Sequence, residues 1–175
     1  CIGMQMKIGV AVSQDGITWG RVEGDDPSGA VVVPYRKDNP NTDPSLELPE
    51  ELYCAWPEVV VDTTKSDDAF TMYYSTMLKE CNTKCLGYAT SSDGFRWTQQ
   101  GVCLMPDNNV WEGDGMARCH VQRAAVYQDG EWISQDGYEM YYEGISPNDK
   151  KHRILYATSK DGIEWERHGV VWNVG

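Results

Sequence analysis

The chain has 175 residues, 41% of them hydrophobic, with seven Trp, ten Tyr and only two Phe; that is enough apolar and aromatic material for the core of one ordinary domain. Its formal net charge of −12 and pI near 4.5 argue against a nucleic-acid backbone or an anionic membrane surface as partner, because both repel an acidic protein. No apolar run approaches the ~20 residues of a membrane-spanning helix, no signal-peptide core is present, and localisation is not legible.

In chain order, the first readable element is the signature Ala11-x-Ser13-x-Asp15-Gly16-x-x-Trp19. It recurs as Ala89, Ser91, Asp93, Gly94, Trp97 and as Ala157, Ser159, Asp161, Gly162, Trp165. The Asp residues are 78 and then 68 positions apart, a repeat length that points to a stacked or radial β architecture. The acidic, turn-prone Glu23–Pro27 reads as a lengthened surface loop after the first copy. The next unit opens on an apolar strand at Val59–Val61, followed by a Met-Tyr-Tyr strand over Phe70–Ser75. A third strand covers Leu86–Ser91, and a fourth runs from near Trp97 through Val102. The last unit repeats this order at Ala124–Val126, Tyr138–Glu143, Ile154–Ser159 and through Val170, with period-2 alternation throughout.

A four-stranded antiparallel sheet cannot bury both faces alone, so such units arrange radially. The expected fold is an all-β propeller of about two and a half antiparallel blades in one domain: a partial blade at 1–34 and blades at 54–106 and 118–174. The first repeat lacks its Tyr-Tyr strand, so the chain is expected to be a fragment of a longer protein. Within each signature, Asp accepts from nearby backbone N–H groups, Gly takes a positive φ, and Trp returns against the hairpin.

Six cysteines are an even count. A Cys81–Cys85 disulfide at a hairpin tip is geometrically possible, whereas buried small thiols are the ordinary reading for most of them. The three His form no metal-ligand pattern with the Cys, and no cofactor is called for.

Tyr-Ala-Thr-Ser-x-Asp-Gly-x-x-Trp at 88–97 and 156–165, preceded by Met-Tyr-Tyr, resembles the repeated blade of the five-bladed β-propeller glycoside hydrolases. That superfamily comprises arabinanases, β-xylosidases, levansucrases and invertases (families 43, 32 and 68) and the related mannoside phosphorylases. A sialidase-type Asp-box has one residue between Asp and Gly, which all three copies lack. The resemblance implies a carbohydrate partner, oligo- or polysaccharide, and carboxylates at the heads of the innermost strands lining one mouth of the channel. One carboxyl protonates the leaving oxygen and another attacks or activates water.

Glu58 is the carboxylate in the first inner-strand head, following Trp56-Pro57 where the family's acid precedes its Pro. Arg118 and His120 stand in the second head. Asp114 and Glu112, leading into that strand, and Glu143, ending the strand beside it, complete the catalytic candidates. Trp56, Trp111, Arg118, His120 and Arg123 are the substrate-binding candidates: the rings can stack on sugar, and the basic groups can hold hydroxyls or anions. A non-catalytic glycan- or protein-binding propeller, or an inactive fragment, satisfies the same residues.

Overall fold

The signature acts as a hairpin clamp in all three copies. Asp15 Oδ1 accepts from the Ile17 and Thr18 N–H groups at 2.8 and 2.7 Å. Asp93 does the same for Phe95 and Arg96, both at 2.8 Å, and Asp161 for Ile163 and Glu164, at 2.8 and 3.0 Å. Gly16, Gly94 and Gly162 adopt φ of 73°, 76° and 81°, a left-handed turn open to glycine without a Cβ penalty. These backbone donors hold the three carboxyls below the usual range, Asp15 at about 2.

A lowered folded-state pKa confers stability that is present above the unfolded value and lost as pH falls through the folded one. The hairpins should therefore loosen as pH drops below about 4. Urea midpoints measured from pH 5 to pH 2 should fall, and Asp161→Asn should flatten that slope.

The computed structural model describes residues 6–38, 45, 47–63 and 67–173; Cys1 and Val174 lie outside them. No helix occurs among the described residues. Strands β1 (Val10–Val12) and β2 (Gly20–Val22) form a two-stranded sheet. Strands β3 (Glu51–Val61), β4 (Phe70–Leu78), β5 (Thr83–Ser91) and β6 (Thr98–Leu104) form an antiparallel sheet in sequence order. The second such sheet is β7 (Met116–Gln128), β8 (Glu131–Ile145), β9 (His152–Ser159) and β10 (Glu166–Trp172).

Because side chains alternate across a strand, Met72-Tyr73-Tyr74 serves both faces of the first sheet. Tyr73 enters the core shared with Val121, Met140, Tyr142 and Leu155 of the second sheet. Met72 and Tyr74 pack instead with Ile8 and Val32 of the N-terminal segment. Tyr73 also donates from its hydroxyl to the Gly162 carbonyl at 2.8 Å, tying the two sheets at the signature turn. Tyr73→Phe should cost about 1 kcal/mol, read as a lowered unfolding midpoint.

Three elements differ from the sequence reading. Strand β3 starts at Glu51, eight residues before Val59, and carries the bulge described below. The β7–β8 hairpin is longer than expected at 13 and 15 residues, because Trp132 and Ile133 pair with Tyr127 and Val126 beyond the sheet. No disulfide joins Cys81 and Cys85: Cys81 is exposed in the β4–β5 turn, and Cys85 is fully buried in β5.

Candidate functional site

Both inner strands are bulged near their heads. Ala55 pairs with Ser75 and Glu58 with Tyr73, so Trp56 and Pro57 together oppose Tyr74. In the second sheet Met116 pairs with Gly144 and Cys119 with Tyr142, leaving Ala117 and Arg118 opposite Glu143. Trp56 takes φ of 51°, a conformation rarely adopted by a bulky residue and one that tends to mark a functional site. Pro57 has no ladder N–H to lose at such a bulge.

The bulges bring equivalent positions of neighbouring sheets side by side. Glu58 opposes Tyr73 in its sheet as His120 opposes Tyr141 in the next. The two meet at 2.9 Å between Glu58 Oε1 and His120 Nδ1. One turn of the bulge earlier, the Arg118 guanidinium lies 5.1 Å from the centroid of the Trp56 ring. Trp56 is 42% exposed, so one edge of that cation–π pair is open to a ligand.

Glu143 borders the same cluster. Its carboxylate lies 3.2 Å from His152 Nδ1 and 4.0 Å from the Arg118 guanidinium. Cys119, between Arg118 and His120, is no nucleophile at neutral pH: burial, with Glu58 adding to it, pushes its thiol up to about 12.

The remaining candidates are placed differently. Asp114 is exposed and forms a surface pair with Lys150 at 2.9 Å, on the turn between β8 and β9. Trp111 is covered by Arg153, 5.3 Å from its centroid, and Arg153 is in turn clamped by Asp149. Arg123 sits five residues further along β7 than Arg118, roughly 16 Å at strand rise. It pairs there with buried Asp62 at 3.2 Å and lies over the Tyr138 ring at 4.8 Å. This is a clamp between the two sheets, made because the β3–β4 turn and the middle of β7 meet at that level.

Two buried carboxylates were not singled out from sequence as a pair. Glu51 accepts from the Tyr35 N–H at 2.9 Å, the Tyr74 hydroxyl at 3.1 Å and Gln99 Nε2 at 2.8 Å. Glu112, in the turn that precedes β7, plays the matching part against the second sheet. It receives Arg167 Nε at 2.9 Å, beside Tyr142. Burial pushes the Glu51 carboxyl up, and it pushes the Tyr142 phenol up next to Glu112. Tyr74 and Tyr142, and Gln99 and Arg167, are each 68 positions apart; that shared offset is the signal that finds the cluster. Among the described residues no group of three or more His, Cys, Asp or Glu is arranged to hold a metal ion.

No family model matches the sequence. The 1,2-beta-oligomannan phosphorylase of Thermoanaerobacter sp. (strain X514) is 34% identical over 88 residues, which are 49% of this chain and 26% of that protein. One similar solved structure comes from work showing that the GH130 family of mannoside phosphorylases contains glycoside hydrolases that target beta-1,2 mannosidic linkages in Candida mannan. It aligns with a TM-score of 0.54 at 23% identity, over 80% of this chain and 38% of its own. A glycosyl hydrolase from Bacteroides ovatus aligns with a TM-score of 0.51 at 22% identity, over 85% of this chain and 44% of its own. The chain therefore spans about a quarter of the curated relative's length and under half of either solved structure. The fold is that of propeller-like glycoside hydrolases and phosphorylases, and these likenesses do not single out families 43, 32 or 68.

Proposed function

We propose that the intact protein cleaves β-mannosidic linkages at the mouth built by Glu58, His120, Trp56 and Arg118, with inorganic phosphate as the attacking group. The observation that carries this reading is the makeup of the mouth. Glu58, hydrogen-bonded to His120, is the carboxylate on the inner-strand heads, and Arg118, over Trp56, and His152 hold Glu143 at the border of the same cluster. Hydrolysis by two carboxylates needs a second acidic group to attack or to activate water, and Glu143, the other carboxylate of the cluster, is already paired with His152 and Arg118. Phosphorolysis needs one proton donor and a cationic seat for an anion. The likeness to a 1,2-beta-oligomannan phosphorylase supports the same choice of substrate and reaction.

In the proposed step a phosphate oxygen forms a bond to the anomeric carbon as the glycosidic C–O bond breaks. The electron pair of that bond goes to the leaving oxygen, which takes the proton held by Glu58. Trp56 stacks on a sugar face, and Arg118 holds the indole in place. The test is the product formed from a β-1,2-mannobioside by the intact protein. Mannose 1-phosphate, formed only when phosphate is present, supports phosphorolysis. Free mannose formed equally without phosphate supports hydrolysis. Neither product, with binding retained, favours a non-catalytic glycan-binding propeller.

A further inference from the structure

The strands of the second sheet carry four arginines, and three of them are closed on a carboxylate. Arg153 meets Asp149 at 2.7 Å, Arg167 meets Glu112 at 2.9 Å and Arg123 meets Asp62 at 3.2 Å. Arg118, the one at the mouth, stands 4.0 Å from Glu143. That is beyond the roughly 2.7–3.2 Å at which an arginine and a carboxylate share a hydrogen bond. The pair is held by charge alone.

The cause lies on the far side of the carboxylate. Glu143 pairs with Ile154 and Ile145 with His152 in the β8–β9 ladder, which sets the imidazole beside Glu143. His152 Nδ1 lies 3.2 Å from Glu143 Oε2, and the other oxygen, Oε1, is the one turned to Arg118. One oxygen is therefore tethered away from the guanidinium. On its other side Arg118 lies over the Trp56 ring, a contact with a ring face that leaves the planar N–H fork to be matched by oxygen.

Carboxylate and phosphate oxygens fit that fork in the same way, so Glu143 and an incoming phosphate compete for it. A Glu143 closed on Arg118 would occupy the fork. A Glu143 tethered by His152 orients the guanidinium and leaves its donors open.

We propose that Glu143 and His152 are positioning residues that set the affinity of the mouth for inorganic phosphate, both acting through Arg118. The assignment rests on phosphorolysis as the reaction of this mouth, with Arg118 as part of the phosphate seat.

The test is the KM for inorganic phosphate in phosphorolysis of a β-1,2-mannobioside by the intact protein, its Glu143→Gln and His152→Ala variants and the double variant. Glu143→Gln removes the competing charge and should lower that KM about two- to fivefold, the scale of a solvent-exposed ion pair. His152→Ala frees Glu143 to close on Arg118 and should raise it by a similar factor. In the double variant the loss of His152 should have no further effect, because the charge it restrains is gone. Calorimetric titration with phosphate alone should give the same order of Kd, so a change in kcat cannot mask the result. An unsubstituted protein that forms no mannose 1-phosphate overturns phosphorolysis and this assignment with it. Phosphorolysis with a phosphate KM unmoved by Glu143→Gln overturns the assignment alone. So does a His152→Ala effect of equal size in both backgrounds, since His152 would then meet phosphate itself.

Discussion

Replacing Arg167 by Met is expected to lower the unfolding free energy by about 3–5 kcal/mol, the range for breaking a buried ion pair from one side. Glu112 is wholly buried, and Arg167 lies 2.9 Å from its carboxylate. The Asp107 N–H and Asn109 Nδ2 still reach Glu112 Oε1 at 3.1 and 3.3 Å, but neither carries charge, and the second Glu112 oxygen is already buried without a hydrogen-bond partner. The guanidinium also donates to the Met105 carbonyl, and its loss frees the segment that leads into β7. Gln99→Met at the matching position should cost less, about 1–3 kcal/mol, because Tyr35 and Tyr74 still serve Glu51. Arg167→Gln, which copies the first sheet's own solution, should fall between the two. Urea unfolding of the four proteins orders these values.

A larger effect is expected on activity. In the intact protein Glu58→Gln should reduce kcat by at least about a hundredfold, the scale of general acid catalysis, with little change in KM. The amide keeps the size of the side chain and a hydrogen-bonding group for His120, but it has no proton to deliver. Trp56→Ala should act chiefly on KM, since a stacking surface binds ground state and transition state alike. Steady-state rates for both variants on one mannoside separate the two roles.

How far the sequence reached depended on which physics was local. The signature turns were legible because every partner of Asp161 lies within three residues of it. Met-Tyr-Tyr was legible as a strand because alternation is a property of the strand itself. Glu58, His120, Trp56 and Arg118 were named from the strand heads, and the structure brings all four into one cluster. Their pairing across two sheets depends on two bulges, and no residue type announced them; Trp56 in particular is an unfavourable choice for positive φ.

Long-range partners were not legible. Arg123 was grouped with Arg118 because both lie near a strand head in sequence, yet its partner Asp62 comes from a turn in the other sheet. His152 gave no signal beside Lys151 in a charged turn, and it reaches Glu143 only through the β8–β9 register. Cys81 and Cys85 suggested a bridge by spacing alone; burial of one and exposure of the other set them apart.

The role assigned to Glu58 is that of proton donor to the leaving oxygen, and a substrate whose leaving group needs no proton isolates it. The deciding measurement compares Glu58→Gln with the unsubstituted intact protein on a β-mannobioside and on a dinitrophenyl β-mannoside, with phosphate present. The variant should lose at least about a hundredfold on the disaccharide while turning over the dinitrophenyl substrate at close to the unsubstituted rate. Equal losses on both substrates, or no loss on either, would contradict Glu58 as the acid.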